Sequence, residues 1–324
     1  MRSSLGLTVA FAFLVASVVN PIAGYAQSYP NQPIKVIIPN PPGGPGDIIA
    51  RAFTERAAQI LGKPFVYDYR PGASTTIGTA FASKAEPDGY TIVGFPSAGV
   101  GAVAIKKHLP YNLEKDLRAV AGIGTVPLVL VVRAAPNLKT IDEFAAALRK
   151  GNLLFGSAGV GTIGHLTALL LMNELNGVAT HVPFRGNPET LQNVIGGHVD
   201  FCIVSVADAA PFADLKEIRL MVTTADQRLT DMPGIPTTSE VGFPNVNSKL
   251  WYAFLAPSKT SGDIVTKLYN AFAEAAKDPA LERQAKTLGF RIEMRDPDEL
   301  AKMMKAEIAR WRKVIEVNNI PLEN

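Results

Sequence analysis

Three short stretches of this chain place small residues where an anion could be held. The first is "NPPGGPGD", in which Pro42, Gly43, Gly44, Pro45, Gly46 and Asp47 stand between an apolar run and a segment of helical period. The second is "GSAGVGTIGH", with Ser157, Ala158, Gly159, Gly161, Thr162 and His165. The third is "RGNP", where Asn187 is expected as the N-cap and Pro188 as the first helical residue, after Arg185 and Gly186. Free N–H groups and the dipole at a helix N-terminus attract carboxylate or phosphate, and glycine lets the backbone approach a ligand that side chains would keep away. Any one stretch also reads as an ordinary turn. Their recurrence ahead of several helices is what suggests a site.

Other chemistries fit less well. Gly159-Val160-Gly161-Thr162-Ile163-Gly164 is a literal G-x-G-x-x-G between a strand and a helix. A dinucleotide site wants an acid after the next strand to hold the ribose. That strand ends in Phe184 and Arg185, which would suit only a phosphorylated ribose. No glycine loop ends in Gly-Lys-Ser/Thr, and no G-x-S-x-G surrounds Ser97, Ser157 or Ser205. His108, His165, His181 and His198 fall in no metal-binding frame. His165 is either a core histidine or a polar group facing a cleft. Cys202, the single cysteine, has apolar neighbours and is expected to be buried and inert. No catalytic residue and no metal or cofactor site is expected.

The elements that must position these loops alternate in type. Continuous apolar runs at 34–39 and 126–133 and the stretch at 199–205 read as strands, the first of them buried on both faces. Further strands are expected at 65–69, 90–95, 152–157, 179–184, 218–225 and 251–258. Ile49, Phe53, Ala57 and Ile60 recur at helical spacing, and Gly62 is placed to end that helix. Helices are also expected at 140–150, from His165, from Pro188, and at 263–277, 279–288 and 297–318. The strand–glycine loop–helix unit appears at 34–61 and again at 153–175. Such alternation indicates α/β domains with mostly parallel sheets, whose ligands lie beyond the carboxyl ends of the strands. Residues 27–127 with 251–324 are expected to form one domain and 128–250 the other, hinged near 126–132 and 250–256.

Arg2, the apolar run Leu5–Val19, and small residues Gly24 and Ala26 before Gln27 read as a secretory leader spanning 1–26. No cysteine follows the run, so no lipid anchor is expected. The formal net charge of +3 is small and interspersed with acids, which excludes a nucleic-acid binder. With 324 residues, 47% of them hydrophobic, the chain can bury a core without disulfides.

"YPNQPIKVIIPNPPGGPGDIIAR", "RPGASTTIGTAFASKAEPDGYTI", "HLPYNLEKDL", "FGSAGVGTIGHLTALLL", "HVPFRGNPETLQNVIGGHVDF" and "WYAFLAPS" resemble, in running order, the solute-binding proteins of tripartite tricarboxylate transporters, the Bug-type periplasmic receptors. The resemblance spans essentially the whole chain after the leader. It implies a two-domain hinged periplasmic binding protein of type II-like α/β fold. It further implies a non-enzymatic monomer that closes on a small carboxylate and delivers it to the large and small permease subunits. By the same resemblance, ligand contacts fall on the 42–47 loop, on Ser157, Ala158, Gly159, Gly161, Thr162 and His165, and on Arg185, Gly186 and Asn187. Ser97 lies where relatives often place a polar contact, and Ser205 and Asp208, also expected at the ligand, fall in a segment after the late strand that departs from the relatives' usual pattern. Arg185 either adds positive charge to the cleft or forms a surface ion pair. Ala158 stands where serine is usual and Gly46 where threonine, serine or alanine is common. Polar hooks are thus depleted, which suggests an apolar-bodied aliphatic or aromatic mono- or dicarboxylate. A valine at Gly44 or Gly159 is expected to abolish capture. An extracytoplasmic sensor and an exported enzyme remain as other readings.

Overall fold

The apolar run at Ile34 forms strand β1 (Ile34–Ile38), and the change of period forms α1 (Pro45–Leu61) in a computed structural model that describes residues 29–323. The expected leader lies outside those residues. Pro45 opens α1, where a missing N–H costs nothing, and Gly62 closes it at φ 69°. β2 (Phe65–Tyr69), α2 (Thr76–Ser83) and β3 (Thr91–Pro96) complete the first unit. Two helices not foreseen follow, α3 (Ala98–Ile105) and α4 (Leu113–Asp116). The sequence of α3 is small or apolar on every side, so it carries no amphipathic period to read.

β4 (Leu117–Arg133) begins nine residues earlier than its apolar run suggested. The second unit comprises α5 (Ile141–Arg149), β5 (Leu153–Ser157), α6 (Ile163–Glu174), β6 (Ala179–Pro183), α7 (Asn187–Ile195), β7 (Phe201–Ser205) and the short α8 (Val206–Ala209). β8 (Ile218–Thr223), β9 (Lys249–Pro257), α9 (Gly262–Ala275), α10 (Pro279–Thr287), β10 (Arg291–Arg295) and α11 (Pro297–Val317) finish the described chain. β10 was missed because "RIEMR" is mostly charged, as suits a strand that pairs on one side only, with β4.

β1 pairs in parallel with β2 and β3, and β5 in parallel with β6 and β7. Every pair made by β4, β8, β9 or β10 is antiparallel. The α/β, type II-like class therefore holds, with parallel strands outside and an antiparallel centre. β4 joins the two halves. Residues Leu117 to Pro127 pair with β9, whereas Leu128 to Arg133 pair with β7 and β8. Pro127, which has no N–H to give to a ladder, stands at the changeover.

The largest core cluster runs through both halves, from Phe95 and Trp251 to Phe144 and Phe155, with Trp311 of α11 fully buried. A second packs Val36, Phe53, Phe254 and Phe272, and a third holds Val129, Leu191 and Cys202. Burial pushes the Cys202 thiol up, so it is as inert as expected. Helix α5 starts on a capping box, with the Thr140 side chain accepting the Glu143 N–H and the Glu143 carboxylate accepting the Thr140 N–H. Thr140→Ala should therefore cost about 1 kcal/mol in urea unfolding, with the fold unchanged. An unaltered midpoint would show the cap to be redundant. Among the described residues no helix is long and apolar enough to cross a membrane.

Candidate functional site

All three predicted loops follow the carboxyl ends of parallel strands, at β1–α1, β5–α6 and β6–α7. In the first, Gly44 is the N-cap of α1 and Gly43 takes φ 80°, a left-handed turn that glycine adopts without strain. Asp47 is 3% exposed, and both of its carboxylate oxygens are engaged within the protein. Its Oδ2 accepts the Gly43 N–H at 2.8 Å and its Oδ1 accepts the Tyr69 hydroxyl at 2.9 Å. The carboxylate thus braces the turn and is no capping group for a ligand. The N–H groups of Gly44, Gly46 and Asp47 have no acceptor among the described residues. They are the orphan donors of a helix start.

Gly44 is less constrained than expected. A Cβ there would meet only the Pro41 carbonyl oxygen, at 3.7 Å. Gly46 is the tight position: a Cβ would fall 2.6 Å from Tyr252 Cε1 and 3.1 Å from Asn40 Nδ2. Tyr252 and Asn40 were missed as site residues. Asn40 lay inside the quoted stretch, but Tyr252 is brought over Gly46 by β9, and no spacing in the chain signals that. A space of ≈ 10 Å³, lined by Asn40, Gly46, Pro96 and Tyr252, remains between them, about enough for one water.

The second loop is held by its own side chains. Ser157 Oγ accepts the Gly159 N–H at 3.1 Å and meets His181 Nε2 at 2.7 Å. Thr162 Oγ1 donates to the Gly159 carbonyl at 2.8 Å and receives the His165 N–H as N-cap of α6. His165 is 1% exposed, and its Nδ1 accepts the Gly161 N–H at 3.2 Å. The N–H groups of Gly159 and Gly161 are thus engaged internally. Those of Ala158, Val160, Ile163 and Gly164 are free among the described residues. The loop also rests on α3, because the Gly161 carbonyl oxygen lies 2.7 Å from where a Gly101 Cβ would be.

In the third loop the N-cap is Gly186, so the expectation for Asn187 is corrected. Asn187 is drawn away from capping because its Nδ2 donates to Asp208 Oδ2 at 2.7 Å. Ser205 Oγ donates to the same oxygen at 2.6 Å and accepts the Asp208 N–H. The Arg185 side chain is exposed and makes no ion pair among the described residues, while its N–H donates to Glu189. Ser97, 2% exposed, accepts the Trp251 N–H through Oγ. Burial, then the Asp208 charge, raises the phenol of Tyr252 to about 12.

The arrangement offers two sets of free backbone donors at helix starts and, among the described residues, no buried lysine or arginine. That suits an anion held by amide dipoles. No group of three or more His, Cys, Asp or Glu among the described residues could hold a metal ion. A larger groove of ≈ 790 Å³ opens between α8 and the α10–β10 segment, but none of the loop residues lines it.

The family model described as "Tripartite tricarboxylate transporter family receptor" matches residues 49–320. A curated relative, the "UPF0065 protein in tcbD-tcbE intergenic region" of Pseudomonas sp. (strain P51), is 32% identical over 291 residues, covering 89% of this chain and 87% of its own. Among solved structures, MatC from Rhodopseudomonas palustris with bound malate is similar at a TM-score of 0.73 and 30% identity, covering 89% of this chain and all of its own. R. palustris Rpa4515 with adipate is similar at 0.75 and 26% identity, covering 89% and 97%.

Proposed function

Because the chain belongs to the tripartite tricarboxylate transporter receptor family, we propose that it is an exported, non-enzymatic receptor. It captures a small carboxylate between its halves and passes it to the membrane subunits of a permease. Residues 27–127 with 251–324 form one lobe and 128–250 the other. The change of partners along β4 at Pro127 and Leu128, and the start of β9 at Lys249, support that division. The leader-like Arg2 and Leu5–Val19 segment supports export to the periplasm.

The ligand is an apolar-bodied mono- or dicarboxylate. One observation carries this reading: the hydroxyls near the loops are already engaged within the protein. Ser157 serves Gly159 and His181, Thr162 serves Gly159 and the α6 cap, and Ser205 serves Asp208. Ser97 serves Trp251. Position 158, an alanine, adds no side-chain donor. What remains for the ligand is backbone N–H, which recognises carboxylate oxygens and offers little to a hydroxyl or ammonium in its middle. Adipate, bound by one neighbour, has such a body, whereas malate, bound by another, carries a hydroxyl.

The test is thermal unfolding of the protein with adipate, terephthalate, malate, citrate and glutamate, each in excess. A ligand at 100 times its Kd should add about 2.7 kcal/mol, a rise of roughly 5 °C or more. Adipate or terephthalate should stabilise most. Strong stabilisation by citrate or glutamate alone would overturn the apolar-bodied assignment, and turnover of any of these acids would overturn the receptor reading.

A further inference from the structure

Two imidazoles stand behind the second glycine loop. His165 Nδ1 takes the Gly161 N–H, so the ring's own proton sits on Nε2. His181 of β6 lies 4.1 Å away, centroid to centroid, with Nε2 on Ser157 Oγ. Phe155 stacks on both rings, at 5.8 and 4.7 Å. The loop is therefore pinned at two points from beneath. Ser157 fixes Gly159, and His165 fixes Gly161, whose φ of 72° is itself a left-handed turn. Val160 lies between these two points and Ala158 immediately before them, and the N–H groups of both are free among the described residues.

We infer that His165 is a positioning residue for capture: as an uncharged Nε2–H imidazole it holds Gly161, and so keeps the Ala158 and Val160 N–H groups aimed at the carboxylate. The inference rests on the proposed receptor function. A proton on Nδ1 sets one N–H against another, removes the acceptor, and releases the loop. A chamber of ≈ 360 Å³ reaches both rings from the outer side. Its walls come from β5, α6, the 177–179 turn and the Asn318–Pro321 segment, and they carry no carboxylate, lysine or arginine. Among the described residues that line it, His181 is the one other titratable group beside His165.

Acid should therefore switch the loop off. Burial, then the nearness of His181, lowers His165 to about 3, and burial lowers His181 to about 4, both from 6.5. Folded values below the unfolded one mean that the unfolded chain binds more protons in acid. The stability tied to this pair is complete above about 6.5 and declines as the pH falls toward 4 and 3.

The experiment uses the full chain after removal of its leader, with adipate as probe. In the wild type, imidazole ¹⁵N shifts should report His165 as the neutral Nε2–H tautomer at pH 5, with a slowly exchanging Gly161 amide. His165→Asn, whose Oδ1 sits near the place of Nδ1, should keep that protection and bind adipate within about threefold of wild type. His165→Phe should lose the protection and weaken binding on the order of tenfold, the worth of one buried hydrogen bond. A His165 that titrates near its ordinary value, or a Phe variant equal to wild type in exchange and affinity, overturns the inference. If wild type ignores adipate, the ligand class is wrong, while tautomer and exchange still decide the role of His165.

Discussion

Gly159→Val is expected to lose carboxylate binding while the protein still melts cooperatively. Gly159 sits at φ 121°, where a β-branched residue is strongly disfavoured. Crowding is not the cause: the nearest atoms to an added Cβ, in Phe184 and Thr162, are 3.9 Å away. The penalty is conformational, about 1–3 kcal/mol, against a global stability of about 5–15 kcal/mol. The fold survives such a loss, but the loop relaxes by rotating the peptides on either side of residue 159. Those rotations move the free N–H groups of Ala158 and Val160 and break the bonds at Gly159 O and N. Affinity should fall by at least about 30-fold, as measured by isothermal titration. Gly44→Ala is the matched control, since Gly44 has φ −74° and open space around it. Equal affinity in the Gly159 variant would remove the second loop from the site.

Gly101→Ala should weaken capture by a different route. In α3 a glycine is a poor helix former, and alanine alone would add about 0.5–1 kcal/mol to stability. Yet its Cβ would lie 2.7 Å from the Gly161 carbonyl oxygen, a backbone atom that cannot swing aside like a side-chain end. The loop must lift off α3, and Gly161 loses its packing on Ile105. Closure of the two proposed lobes on a ligand then becomes costlier, because this loop meets α3 at Gly101 and Ile105. We expect a larger radius of gyration in solution scattering with ligand present and an affinity lowered by on the order of tenfold. A more stable protein with unchanged affinity would mean that helix propensity had outweighed the clash.

Much of the architecture was legible because hydrophobic period is a local property. The run at Ile34–Ile38, the helical spacing from Ile49 to Ala57, and the Pro45 and Gly62 signals all act within one element. β10 and α3 were not legible, one charged like a surface and the other apolar all round. The antiparallel centre was likewise hidden, since β4 and β9 are paired across more than a hundred residues of chain.

The site divides along the same line. Glycine at 43, 159 and 161 is a local demand, visible as loop chemistry and met by positive φ at all three. The identity of the free donors is not local. Asp47 was expected among the ligand contacts, but its carboxylate accepts the Gly43 N–H and the hydroxyl of Tyr69 from the neighbouring strand. Asn187 looked like an N-cap, but Asp208 takes its side chain. His165 looked equally suited to core or cleft, and the chance that His181 and Phe155 stack beneath it decided for the core. By itself the chain's order of residues determined which segments turn, where helices begin, and that an anion can be met by backbone. Tertiary structure alone decided which of those N–H groups stay free, because each is claimed or left by partners that only folding brings within hydrogen-bonding distance.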